Sequence, residues 1–177
     1  LMVGLSAEAA EPTYQGQFVQ GGIVFGQTDA GSKVLLDDVA IDTIASDGRF
    51  VLGFPRDYEG PARVSVRHAD GSVESFSYDI ADREFNIQRI DGLAPKMVNP
   101  DPEVISRIQD DSRQAREART ERFAEDFLQS GFVWPAVGPI SGVYGSQRIL
   151  NGEPRAPHWG IDIAVPAGTP VIAPADG

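Results

Sequence analysis

From Gln17 to Gln88 the apolar residues come in short runs rich in Val, Ile and Phe, which Gly, Asp and Pro interrupt about every eight to twelve residues. The runs fall near 17–27, 33–36, 39–42, 49–54, 61–68, 72–79 and 83–89. Phe50, Leu52 and Phe54 share one parity, and Val64 and Val66 alternate with Arg63, Ser65 and Arg67. A two-residue period puts alternate side chains on opposite faces of a strand, so each of these strands is expected to bury one face and wet the other. Asp70-Gly71 between two alternating runs predicts a hairpin, and Asp37-Asp38 predicts another. This pattern predicts an Ig-like β-sandwich over residues 13–92.

The pattern then changes. Three prolines between Pro95 and Pro102 stiffen a connector and close the β region. Glu103 to Gln129 holds no Gly or Pro and is dense in Glu, Arg, Gln and Ala, which predicts a helix of about 27 residues, ~40 Å long. Its apolar positions gather at Val104, Ile105 and Ile108 and again at Phe123, Phe127 and Leu128, without a continuous heptad seam. A strut anchored at both ends fits that spacing, and its interleaved Asp110, Asp111, Arg113, Arg116, Glu117 and Arg119 read as a solvated face. Residues 93–130 are therefore expected to form a Pro-rich linker and helix. From 131 to 177 Gly and Pro rise again and the runs shorten, predicting strands near 132–134, 139–143, 161–165 and 170–174 joined by long loops. The fold class that follows is mainly β with one long helix.

Charge and composition narrow the function. Fifteen basic against 26 acidic residues leave a net charge of −11, so nucleic acid and anionic lipid surfaces would repel the chain. With no cysteine, a metal site would have to use His and carboxylate ligands, and only His68 and His158 supply imidazole. His68 shares the parity of Val66 at a strand end beside the Asp70-Gly71 turn, which predicts a half-buried or solvated side chain and no ligand role. His158 and Asp162 are different. Three residues separate them in a segment rich in Gly and Pro, and positions i and i+4 of an extended chain share a face, so both could turn toward one ion.

The string around that pair is specific. Phe132-Val133-Trp134-Pro135, Gly138-Pro139-Ile140-Ser141-Gly142-Val143-Tyr144-Gly145 and the run from His158-Trp159-Gly160-Ile161-Asp162 through Gly168-Thr169-Pro170-Val171 to Gly177 resemble the start of the lysostaphin-like, LytM-type zinc metallopeptidases. The resemblance covers about 46 residues, from Phe132 to Gly177. It implies the N-terminal part of an antiparallel β peptidase domain that binds Zn²⁺ and hydrolyses peptide bonds in the stems or cross-bridges of bacterial peptidoglycan. By the same resemblance His158 and Asp162 match the first two zinc ligands. The family's third ligand, the second His of a His-x-His motif, and the His residues that assist catalysis have no counterpart among these 177 residues, so no catalytic residue is assigned within them. Many relatives place Arg two residues after the Gly that follows the aromatic. Here Gly145-Ser146-Gln147-Arg148 holds one residue more, which puts Arg148 out of that register as a substrate-side residue. The segment Ile149 to Pro157 reads as the loop before the first ligand.

Two other functions fit the pattern less well: a non-catalytic relative that activates a separate wall hydrolase, and a wall-binding role for the β module. Degenerate members of the resembled family usually lack zinc ligands, and both are present here. The apolar start Leu1 to Leu5 followed by Ala7-Glu8-Ala9-Ala10 resembles the end of a signal peptide, which predicts a periplasmic or secreted protein whose mature chain begins near Ala10 or Glu11. No run is long and apolar enough to predict a transmembrane segment. The last residues, Val171 to Gly177, read as a strand entering an Asp-Gly turn, so the peptidase-like domain is expected to be truncated.

Overall fold

The computed structural model describes residues 11–41, 46–94, 102–120, 127 and 131–176. Two compact units divide the chain, residues 1–84 and 85–177. Among the described residues the architecture is mainly β with one helix.

In the first unit, seven strands form two antiparallel sheets. One holds β1 (Thr13–Gly16), β2 (Ile23–Gln27) and β5 (Arg49–Gly53) in the order β1-β2-β5. The other holds β3 (Lys33–Leu36), β4 (Val39–Ala40), β6 (Ala62–Arg67) and β7 (Val73–Tyr78) in the order β4-β3-β6-β7. The expected alternation sets the core: Phe50, Leu52 and Phe54 meet Val24, Val34, Ala62, Val64 and Val66, all buried. Ser65 departs from it. Expected on the wet face, it is buried, and its hydroxyl lies 2.8 Å from that of Ser75, its register partner on β7.

Both predicted hairpins form. Asp37 and Asp38 take positive φ of 48° and 67° between the paired ends Leu36 and Val39, the backbone that a two-residue turn of right-handed strands needs. Asp70-Gly71 lies in a longer turn closed by His68 N–H to the Ser72 carbonyl at 3.0 Å. The run 17–27, expected as one strand, is split instead. Gly21, at positive φ, breaks it, and β1 begins earlier at Thr13 to pair back on β2. The run 83–89 also goes elsewhere: its strand, β8 (Ile87–Ile90), belongs to the second unit.

There β8 pairs in parallel with β10 (Gln147–Leu150), and β10 pairs antiparallel with β11 (Glu153–Pro154). The segment 149–157, expected as a loop, is thus partly a hairpin, turned by Asn151 and Gly152 at φ 50° and 82°. A separate pair joins β9 (Ile140–Gly142) to β12 (Asp162–Ile163). The strands expected at 132–134 and 170–174 lie side by side without forming a ladder. Val133 N–H reaches the Pro174 carbonyl at 2.8 Å and Ile172 N–H reaches that of Pro135 at 3.0 Å, but the reciprocal donors would be the two prolines, which have none. Pro139 limits β12 in the same way, accepting from Ala164 N–H at 2.9 Å and returning nothing.

The helix α1 spans Pro102–Ala118, 17 residues where about 27 were expected, and so is ~26 Å long. Thr120 stops it: its N–H and hydroxyl both bond the Glu117 carbonyl, at 3.0 and 2.7 Å, in a local turn. Val104, Ile105 and Ile108, expected to anchor its start, are exposed. Of the second anchor, Phe123 and Leu128 lie outside the described residues, as does the expected signal-peptide remnant 1–10. No helix among the described residues is long and apolar enough to cross a membrane.

Candidate metal centre

His158 and Asp162 come together. His158 Nε2 lies 3.1 Å from Asp162 Oδ1, with the imidazole about one-third exposed and the carboxylate more open. Backbone bonds hold the histidine from both sides of the β9–β10 connection: its N–H donates to the Ser146 carbonyl at 2.8 Å, and its carbonyl accepts from Gly145 N–H at 2.7 Å. Gly145 has φ +80°, and a Cβ there would strike the Phe85 ring, so only glycine makes this close approach. Asp162 is placed by β12, whose register sets it opposite Gly142. A side chain at 142 would fall on the Asp162 carboxylate, so the glycine keeps that carboxylate free to face His158.

The ring's other nitrogen fixes the chemistry. Nδ1 lies 3.2 Å from the Val143 carbonyl, which can only accept, so Nδ1 carries the hydrogen. In the neutral imidazole Nε2 then presents a lone pair to a carboxylate oxygen. Two acceptors at 3.1 Å repel unless a proton or a cation lies between them. Two ligand atoms bound at tetrahedral angles to one zinc ion, each about 2.0–2.2 Å from it, stand about 3.3–3.6 Å apart, a little wider than the 3.1 Å between these two. The donor types fit a zinc ion once the pair opens by a few tenths of an ångström, with the Val143 carbonyl orienting the ring as outer partners of metal-bound histidines do. Two side-chain donors fall short of the usual three. Among the described residues no group of three or more His, Cys, Asp or Glu side chains gathers to hold a metal ion.

The pair opens onto a cavity of about 790 Å³ in the second unit. Ile140 to Val143 of β9 and the following turn, Ser146 to Arg148 and Leu150 of β10, and Arg155 to Trp159 line it, together with Asn86 and Gln88. Trp159 is exposed and tilts against Tyr144 with ring centroids 5.8 Å apart. Arg148 does line this cavity despite the extra residue after Gly145. Asn86 and Gln88 escaped the sequence reading because their strand looked like one more run of the sandwich. The Asn151-Gly152 pair, a strong hairpin signal, could have revealed β10 and with it the edge that β8 joins.

His68 stands apart, in the first unit. Its side chain is 8% exposed, deeper than expected, with Nδ1 and Nε2 each 3.7 Å from a carboxylate oxygen, of Asp29 and Glu74 respectively. The two carboxylates sit on opposite ring nitrogens, so they do not converge on one ion.

No protein-family model and no curated protein matches the chain.

Proposed function

We propose that residues 131–177 form part of a zinc metalloendopeptidase site that acts on the peptides of bacterial peptidoglycan, with His158 and Asp162 as two of its metal ligands. The observation that carries this reading is the 3.1 Å approach of His158 Nε2 to Asp162 Oδ1, which aims an imidazole nitrogen and a carboxylate oxygen at one point where a proton or a cation can lie. A bound zinc ion would supply an acidified water and a Lewis acid for the scissile carbonyl. The chain's own groups do the positioning. The Val143 carbonyl holds the tautomer that frees Nε2, Gly142 leaves room for the carboxylate, and a cavity of about 790 Å³ lies beside them.

The 177-residue chain has two histidines, which makes NMR a direct test. Zinc is expected to shift the His158 imidazole resonances and leave those of His68 in place, with weak affinity because three side-chain ligands are usual. His158→Ala and Asp162→Ala should each abolish the effect. The chain by itself should release no dye from labelled sacculi. A zinc response confined to His68, no response at all, or full zinc binding by Asp162→Ala would overturn the assignment.

A further inference from the structure

We infer that the cavity carries a carboxylate-binding subsite built by Arg148 and Gln88. The inference rests on reading this cavity as a peptide-binding cleft, and it names the substrate feature that the cleft selects. Arg148 and Gln88 are register partners on the parallel strands β10 and β8, and both line the cavity. Register partners in a sheet present their side chains on the same face about 4.8 Å apart. A guanidinium and a primary amide on neighbouring strands can each donate N–H to one of the two oxygens of a carboxylate.

The ion pairs of the lining leave Arg148 open to an anion. Arg148, Arg155 and Asp162 are the charged residues of the lining, in a chain of net −11. Asp162 is turned to His158 at 3.1 Å and Arg155 to Glu153 at 3.2 Å. Arg148 makes no ion pair among the described residues, a state it shares with Arg67, Arg89, Arg116 and Arg119, and of these five it is the one that lines the cavity. An exposed arginine in a concave wall, with an amide beside it and no carboxylate of its own, is a receptor for a carboxylate brought by the ligand. The carboxylate could be a side chain's or a chain terminus.

Three peptides separate these sources on the full 177-residue chain: acetyl-Ala-Glu-Ala-amide, acetyl-Ala-Gln-Ala-amide, and acetyl-Ala-Gln-Ala with a free C-terminus. Binding is followed by NMR at low salt in the presence of chelator, so that the result is independent of zinc. One or both acidic peptides should bind about tenfold tighter than the neutral one, as a charge-assisted hydrogen-bonded pair predicts, with shifts at the Arg148 and Gln88 amides. Arg148→Gln should reduce that ratio to about one. Arg148→Lys, which keeps the charge, should retain part of it, and Gln88→Ala should lower it severalfold. Equal affinity for all three peptides, no binding up to their solubility limit, or a preference that survives Arg148→Gln would overturn the subsite. A preference unaltered by Gln88→Ala would remove Gln88 from it. Because chelator is present, loss of the zinc reading and loss of the carboxylate subsite are separate outcomes.

Discussion

Small side chains at turns and contacts decide where the larger ones stand, and their effects can be measured one residue at a time. Asp70 accepts from the hydroxyl of Ser72 at 2.6 Å and from its N–H at 2.8 Å, closing the turn between β6 and β7. Those two bonds favour the ionised form and hold its carboxyl below the usual range, the Ser72 hydroxyl first and its N–H second. A depressed folded-state pKa means that the contribution is present above the ordinary carboxylate pKa and is lost as pH falls through the lower, folded value. Ser72→Ala should therefore raise the Asp70 titration toward its ordinary midpoint in a carboxyl NMR titration. An unchanged midpoint would mean that the hydroxyl contributes nothing. In the second unit Gly142 and Gly145 act by what they lack, admitting the Asp162 carboxylate and the Phe85 ring where a Cβ would collide. Both are plain in the sequence as glycines, yet the sequence offered no geometric reason for either.

Strands show which signals reach the sequence and which do not. Local ones do: the two-residue period of β5 and β6 and the aspartates of the β3–β4 turn are properties of neighbouring residues, and each element formed where its pattern placed it. Partners are non-local. Ile87–Ile90 has the composition of any sandwich strand, and only the structure shows it lying parallel on β10. Prolines worked in the other direction, turning expected strands at 132–134 and 170–174 into neighbours that cannot complete a ladder. The same non-locality hid half of the cleft, since Asn86 and Gln88 arrive on β8, whereas His158 and Asp162 sit four positions apart and could be paired from spacing. Asn151 ties β8 down. Its N–H bonds the Ile90 carbonyl at 2.9 Å, and its side-chain amide donates to the Leu93 carbonyl at 2.8 Å and accepts from Leu93 N–H at 3.0 Å. Asn151→Ala removes two hydrogen bonds, worth about 0.5–1.5 kcal/mol each, and places a less tolerant residue at φ 50°. Hydrogen exchange should become at least severalfold faster at Leu93 and at the amides that join β8 to β10, with the sandwich strands unaffected. Unaltered exchange at Leu93 would show that β8 holds without the clamp.

Across the whole molecule the two units bury themselves differently. Among the described residues all eight fully buried hydrophobic side chains belong to the sandwich, while Trp134, Trp159, Val171 and Ile172 of the second unit are more than half exposed. The aromatic groups are divided along the same line, with Tyr14, Tyr58 and Tyr78 in the first unit and both tryptophans and Tyr144 in the second. The sandwich tyrosines also share an electrostatic bias. Burial, followed by its hydrogen bond to Asp37, pushes the Tyr58 phenol up to about 12, and burial raises Tyr78, aided by Tyr14 and by its bond to Glu11 at 2.9 Å. Tyr14 is raised mainly by burial. A phenol whose folded-state pKa lies above its unfolded value adds stability that is fully present below about pH 10 and is lost as pH rises through the folded value. The sandwich should therefore keep its phenols protonated beyond the ordinary tyrosine range and then ionise them together as it unfolds, because a tyrosinate in the Tyr14–Tyr78 ring contact, 5.1 Å between centroids, would lie beside Glu11. In the chain carrying Tyr144→Phe, tyrosinate absorbance reads only the sandwich, and circular dichroism follows its strands. The two signals should change together well above pH 10, and Tyr58→Phe, which removes one of the three raised phenols, should move the transition to higher pH. Three phenols ionising near pH 10 with the β signal intact would mean that burial in this core does not discriminate against their charge.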